Sequence, residues 1–185
     1  MNNVTENGLL FSLRTGELHL SLKGGKQPFE EFCGAAARAN PKRGFVFVSK
    51  VLGRYTAIKP SSLRRTQEQL AAQIPPSLEG PILVVGLAEA AIGLSQGIHE
   101  IYSQSTQRED VLYSHTTRYL IEGLESVSFD EEHSHAPKHY LYWPQEPSVR
   151  EIVSHVRTLI VIDDESTTRT GTTCYQILFF VVFLL

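Results

Sequence analysis

The hydrophobic positions of this 185-residue chain alternate near its start and run together in two later stretches, and that contrast sets out its elements. Residues 4–22 alternate loosely around Arg14-Thr15-Gly16-Glu17, the pattern of a hairpin with a glycine turn. Residues 28–38 (PFEEFCGAAAR) put proline at a first helical position, acids in the first turn and alanines beyond. That order predicts a helix, stopped by Asn40-Pro41. Residues 44–51 (GFVFVSKV) are β-branched and aromatic and read as a strand. Over 62–73 the apolar positions Leu63, Leu70 and Ala71 recur among charges at helical spacing, and Pro75-Pro76 ends that helix.

Two runs are apolar throughout: 81–86 (PILVVG) and 158–162 (TLIVI, after its threonine). Continuous apolarity marks strands of a buried parallel sheet. The first leads into a helix from Ala90 that is expected to end near Ile101 or Tyr102. The second leads into two acids and a run of Thr and Gly. Between them lie polar, His-rich stretches, 113–119 (YSHTTRY) and 129–139 (FDEEHSHAPKH). These elements predict an α/β domain in which residues 1–40 form an N-terminal ribbon and helix, 41–173 the main body and 174–185 an apolar tail.

Composition narrows the partners. With 42% hydrophobic and 20% charged residues the chain reads as globular rather than disordered. A net charge of -3 supplies no general basic field, so no nucleic-acid partner is expected. Cys33 and Cys174 form neither a disulfide framework nor a zinc motif, which fits a reducing cytoplasm. The N-terminus lacks the pattern of a secretory signal. The last twelve residues are almost wholly apolar but shorter than the about 20 that a membrane-spanning helix needs, so no membrane partner is expected either.

The chemistry concentrates at 159–173 (LIVIDDESTTRTGTT). In a parallel α/β sheet, ligands bind at the carboxyl ends of strands. Asp163 and Asp164 fall there, and adjacent carboxylates accept hydrogen bonds from a vicinal diol such as the 2- and 3-hydroxyls of ribose. Ser166, Thr167, Thr168, Thr170, Thr172 and Thr173 then supply hydroxyl donors around Gly171, where the backbone can approach an anion closely. Diol acceptors followed within a few residues by phosphate donors match the two ends of a ribose 5-phosphate. The competing reading is a buried strand that ends in a solvated acidic turn.

This segment resembles the signature of the type I phosphoribosyltransferases: an apolar strand, two acids and a turn of the form TTGxT. The best Thr-Gly-x-Thr here, Thr170 to Thr173, comes about two residues later than in that family. The other register puts Thr167-Thr168 in place and Arg169 where glycine is expected. The resemblance implies a parallel-sheet core with helices on both faces, a phosphoribosyl pyrophosphate donor, a small-molecule acceptor, Mg2+ brought in with the donor, and a possible homodimer. It also implies that an upstream turn, here Gly86, Leu87, Ala88, Glu89 and Ala90, holds the pyrophosphate. Lys50 and Arg54 at a strand exit, and Arg118 from a loop, are candidates to meet the same charge. Residues 43–55, 84–98, 113–119, 131–139 and the VIDDE run resemble the orotate-phosphoribosyltransferase-like enzymes of bacterial tellurite-resistance and stress operons.

His133 and His135 lie two apart near Glu131, Glu132 and His139. On an extended segment both rings face one way, which suits acceptor contact, proton transfer or, as an alternative, a transition metal. A non-catalytic nucleotide-binding module and a His-dependent metalloenzyme therefore stay beside the transferase as alternatives. Residues 177–185 (ILFFVVFLL) have no amphipathic face, and the tail reads as the mark of a core left incomplete at the C-terminus.

Overall fold

The computed structural model describes residues 3–5, 8–21, 29–39, 44–130, 138–167 and 175–184, with 3–5, 165–167 and 175–184 described as backbone. The chain forms two compact units, Met1–Leu63 and Arg64–Leu185.

In the first unit, β1 (Asn3–Thr5), β2 (Gly8–Leu13) and β3 (Gly16–Ser21) make an antiparallel sheet in that order. The β2–β3 turn falls at Arg14-Thr15 as its sequence suggests, and Gly16 takes φ +129, a value that favours glycine. Residues 28–38 depart from the expected helix. Only α1 (Phe29–Phe32) is helical, and β4 (Cys33–Ala37) pairs antiparallel with β5 (Phe45–Ser49). Gly34 would cost a helix interior about 1 kcal/mol relative to alanine, and so short a helix is marginal by itself. The aromatic strand beside it offers a complete ladder instead. Phe29 meets Phe11 and Phe47 edge-on at 6.3 and 5.9 Å, and Phe11, Phe47, Cys33 and Val51 are buried.

In the helix α2 (Pro60–Ala71), Gln67 is buried and its Nε2 donates to the Gly93 carbonyl at 2.9 Å. The second unit centres on β6 (Ile82–Gly86), α3 (Ala91–Thr106) and β7 (Val111–His115). The buried face of α3, Ala91, Leu94, Ser95, Ile98 and Tyr102, has helical spacing. The helix runs a turn beyond the expected end near Ile101 or Tyr102. Ser103 to Thr106 carry no helix-breaking residue, and the stop comes at Gln107, left-handed at φ 53, where its amide and that of Arg108 close onto Gln104 and Ser103.

β8 (Ser126–Asp130) and β9 (Lys138–Tyr142) form an antiparallel pair where the sequence suggested loops. After α4 (Pro147–Ser154) come β10 (Thr158–Thr167) and β11 (Tyr175–Leu184). The main sheet has the order β11-β10-β6-β7, with β10, β6 and β7 mutually parallel and β11 antiparallel at the edge. The fold is thus α/β, as expected, around a three-stranded parallel sheet with helices. Ile82, Val84, Ile160 and Ile162 are at most 1% exposed, so the centre of this sheet is the core of the unit. The apolar tail enters the sheet as β11. Among the described residues no helix is long and apolar enough to cross a membrane.

Candidate functional site

β6 and β7 end level with one another at Gly86 and His115, while β10 runs on past that line to Thr167. In their ladders Gly86 stands opposite both Ile162 of β10 and His115 of β7. Beyond this line the chain leaves β6 towards α3 and β7 on one side, while β10 leads to β11 on the other. The carboxyl edge where connections diverge in this way is the place where open α/β sheets bind ligands. Neighbouring strands lie about 4.8 Å apart, so the two segments singled out in the sequence leave the sheet side by side. The Leu87 amide donates to the Ile162 carbonyl at 2.9 Å and ties one segment to the other.

Gly86 is required here by packing. A Cβ on it would fall inside contact distance of the Ser95 hydroxyl, 2.9 Å from Ser95 Cβ and 3.4 Å from the Ala91 carbonyl. Without that Cβ, α3 starts close against the strand. Ser95 donates to the Ile92 carbonyl at 2.9 Å and lies 3.1 Å from the Tyr113 hydroxyl, which also reaches Ile92 at 3.0 Å. Burial pushes the Tyr113 phenol above its ordinary value, against the opposing pull of the Ser95 hydrogen bond. The phenol therefore stays a neutral hydrogen-bonding group beneath the turn.

Between Gly86 and α3 the turn is held on both sides. The Thr116 amide donates to the Gly86 carbonyl at 2.9 Å, and the Ala88 amide donates to Thr116 Oγ1 at 2.8 Å. Arg118 Nη2 in turn donates to the Ala88 carbonyl at 3.0 Å. The Ala88–Glu89 peptide bond is cis, and Ala90 caps α3 without a side-chain hydrogen bond. The amides of Leu87 and Ala88 are thus used within the protein, and those from Glu89 onward stand at the helix start, where the dipole favours an anion.

Asp163 and Asp164 follow Ile162 directly and are half-buried, with the Asp164 amide donating to Asp163 Oδ1 at 2.8 Å. β10 does not stop at them. Its backbone continues to Thr167, paired with Tyr175 of β11. Thr168, Thr170, Gly171, Thr172 and Thr173 lie outside the described residues, as do His133 and His135.

His139, in contrast, is 1% exposed in β9. Its Nδ1 is 2.8 Å from Thr116 Oγ1 and its ring stacks on Phe129 at 4.9 Å, 4° from parallel. Among the described residues no group of three or more His, Cys, Asp or Glu could hold a metal ion. Lys50 and Arg54 belong to the first unit, where Lys50 Nζ donates to the Glu30 carbonyl at 2.7 Å and Arg54 lies over the Tyr55 ring. Sequence reasoning gave no role to Thr116, Ser95 or Tyr113 and named His139 only as a neighbour of His133 and His135. One signal was present: Thr116 and Arg118 are two apart in YSHTTRY, and alternate residues of an extended segment point the same way.

Compared with known proteins, the chain matches no curated protein and no solved structure. A family model described as phosphoribosyl transferase matches residues 32–181, a span that takes in β4, the whole parallel sheet and both segments at its carboxyl edge. On that match, the chain belongs to the phosphoribosyltransferase family.

Proposed function

We propose that the carboxyl edge at β6 and β10 binds phosphoribosyl pyrophosphate and that the enzyme transfers its phosphoribosyl group to a small, base-like acceptor with release of pyrophosphate. The observation that carries this reading is the pairing of Gly86 with Ile162 and the Leu87 to Ile162 hydrogen bond. It puts the turn after β6 beside the acidic pair, as a donor whose pyrophosphate is joined to the ribose next to its hydroxyls would require.

In this reading Asp163 and Asp164 accept the ribose hydroxyls, and Thr167, Thr168, Thr170, Gly171, Thr172 and Thr173 surround the 5-phosphate. The amides from Glu89 onward and Arg118 face the pyrophosphate. The bond from ribose C1 to the pyrophosphate oxygen breaks as C1 bonds to the acceptor, and the electron pair leaves with pyrophosphate. The protein acts by holding donor and acceptor in line and by meeting the departing charge, with no nucleophile of its own. His133 and His135 are proposed to contact the acceptor or take up its proton.

Mg2+ needs few protein ligands when phosphate oxygens supply the rest, and the two carboxylates at the strand end are of the right kind and number. Bound there, the ion would neutralise pyrophosphate charge. The likeness of residues 43–55, 84–98, 113–119 and 131–139 supports placement among the orotate-phosphoribosyltransferase-like enzymes of tellurite-resistance and stress operons, in a cytoplasmic setting.

The test is calorimetry with phosphoribosyl pyrophosphate on Asp163→Asn/Asp164→Asn. Two charge-assisted hydrogen bonds at about 1.5–3 kcal/mol each predict a loss of roughly 10²- to 10⁴-fold. The side-chain carbonyl that Asp163→Asn introduces can still accept the neighbouring amide, so circular dichroism should be unchanged. Undiminished affinity in the folded double mutant would remove the assignment. Pyrophosphate release with candidate bases separates a transferase from a module that only binds.

A further inference from the structure

The hydrogen-bonding around Ala88 is more elaborate than a strand-to-helix connection needs. Both polar groups of this one residue are engaged by a single segment about thirty positions away: its amide by Thr116 Oγ1 at 2.8 Å and its carbonyl by Arg118 at 3.0 Å. Thr116 is 0% exposed and reaches further, to His139 Nδ1 at 2.8 Å. Oγ1 accepts from the Ala88 amide and with its remaining capacity shares a hydrogen bond with His139 Nδ1. His139 is fixed in turn by its stack on Phe129 and by its place beside Tyr140, whose amide and carbonyl each pair with Thr117 at 2.9 Å. A continuous chain of contacts therefore runs from the β8–β9 pair through His139 and Thr116 to the turn.

We propose that Thr116, oriented by His139, is a positioning residue that sets the turn after β6 in the shape that receives pyrophosphate. This rests on the functional reading above. The Ala88 amide is withdrawn from the ligand by Thr116 and the Leu87 amide by Ile162. Together they fix the direction in which the next amides and the start of α3 point. Loss of the Thr116 hydroxyl leaves the Ala88 amide free to turn, and the anion then meets a turn of no fixed orientation. The acidic pair on β10 is held by other contacts, so ribose 5-phosphate should not register the change.

The experiment compares Thr116→Val, Thr116→Ser and His139→Phe with the unaltered protein, using pyrophosphate and ribose 5-phosphate as separate titrants. Thr116→Val should weaken pyrophosphate about tenfold, the worth of one net hydrogen bond, and leave ribose 5-phosphate within about twofold. Thr116→Ser, which keeps the hydroxyl, should return pyrophosphate affinity to within about threefold of the unaltered protein. His139→Phe keeps the aromatic stack and removes Nδ1, so it should weaken pyrophosphate several-fold even if the valine variant does not fold. Equal pyrophosphate affinity in all four proteins, or an equal loss for both titrants, would overturn the positioning role alone. An unaltered protein that binds neither titrant would overturn the functional reading and this role with it.

Discussion

Replacing Gly86 by alanine tests how the turn is built. The added Cβ would fall on the Ser95 hydroxyl and lie 2.9 Å from Ser95 Cβ, with strand and helix backbone on either side. Ser95 is fully buried, so it relieves the clash only by giving up its bonds to Ile92 and Tyr113 or by pushing α3 outward. Overpacking costs about 1–3 kcal/mol and each net hydrogen bond about 0.5–1.5, so Gly86→Ala should destabilise by roughly 2–4 kcal/mol. Ser95→Gly alone should cost about 2 kcal/mol, from a helical glycine and the same lost bonds. In the double mutant the clash is gone, and its destabilisation should be about 2 kcal/mol less than the sum of the single effects. Trp143 is the sole tryptophan and lies in the same unit as both residues, so its fluorescence during urea unfolding reads the relevant transition. At a slope of about 2 kcal/mol per molar, Gly86→Ala should move the midpoint down by roughly 1–2 M. Strictly additive effects would refute the packing argument.

Four further outcomes are expected. The Arg108 guanidinium hydrogen-bonded to Asp110 holds that carboxyl below its ordinary value of 3.8. Its stabilisation is therefore complete above about pH 4 and lost as pH falls through the lowered value. With Asp110 42% exposed the effect should stay under about 1 kcal/mol, and urea midpoints between pH 3 and 6 should show an acid limb that Asp110→Asn flattens. Gly80→Ala would drive a Cβ into that same ion pair and should cost about 1–2 kcal/mol by the same assay, less in an Asp110→Ala background. His133→Ala with His135→Ala should lower kcat/KM for the acceptor while calorimetric affinity for phosphoribosyl pyrophosphate holds. Deleting residues 175–185 would leave the outer side of β10 unpaired from Thr158 to Thr167, and sedimentation should then show self-association that the undeleted chain lacks at equal concentration.

β6 and β10 could be read from sequence because burial between neighbours leaves a run of apolar residues that needs no knowledge of the partner. The β2–β3 turn could be read because Gly16 answers a local backbone demand. β4 could not. Its Gly-Ala-Ala-Ala stretch favours a helix locally, and only the pairing with Phe45–Ser49, a segment supplied by chain further on, makes it a strand. β8 and β9 were passed over although Ser126–Asp130 alternates polar and apolar residues; the run is short and its apolar positions, Val127 and Phe129, are exposed, so the alternation marks no buried face. In the site, Asp163 and Asp164 announced themselves as adjacent acids after an apolar strand. Thr116 and His139 did not, because their bond joins positions 23 apart and neither residue type is unusual where it stands. The strand, turn and helix around Gly86 were located from the sequence, which did not show that the glycine makes room for Ser95.

The ladders from β6 to β7 and to β10 both end at Gly86, and that edge separates two kinds of inheritance in this chain. Spacing between Gly86 and Ile162 is set by the ladders behind them, and no connection that departs from that edge has to maintain it. The β8–β9 pair meets that edge through His139 and Tyr140. On the functional reading proposed above, the segments that hold the donor are anchored to that edge, whereas His133 and His135 belong to the connection between β8 and β9, so a change of acceptor would draw on a connection and a change of donor on the sheet itself.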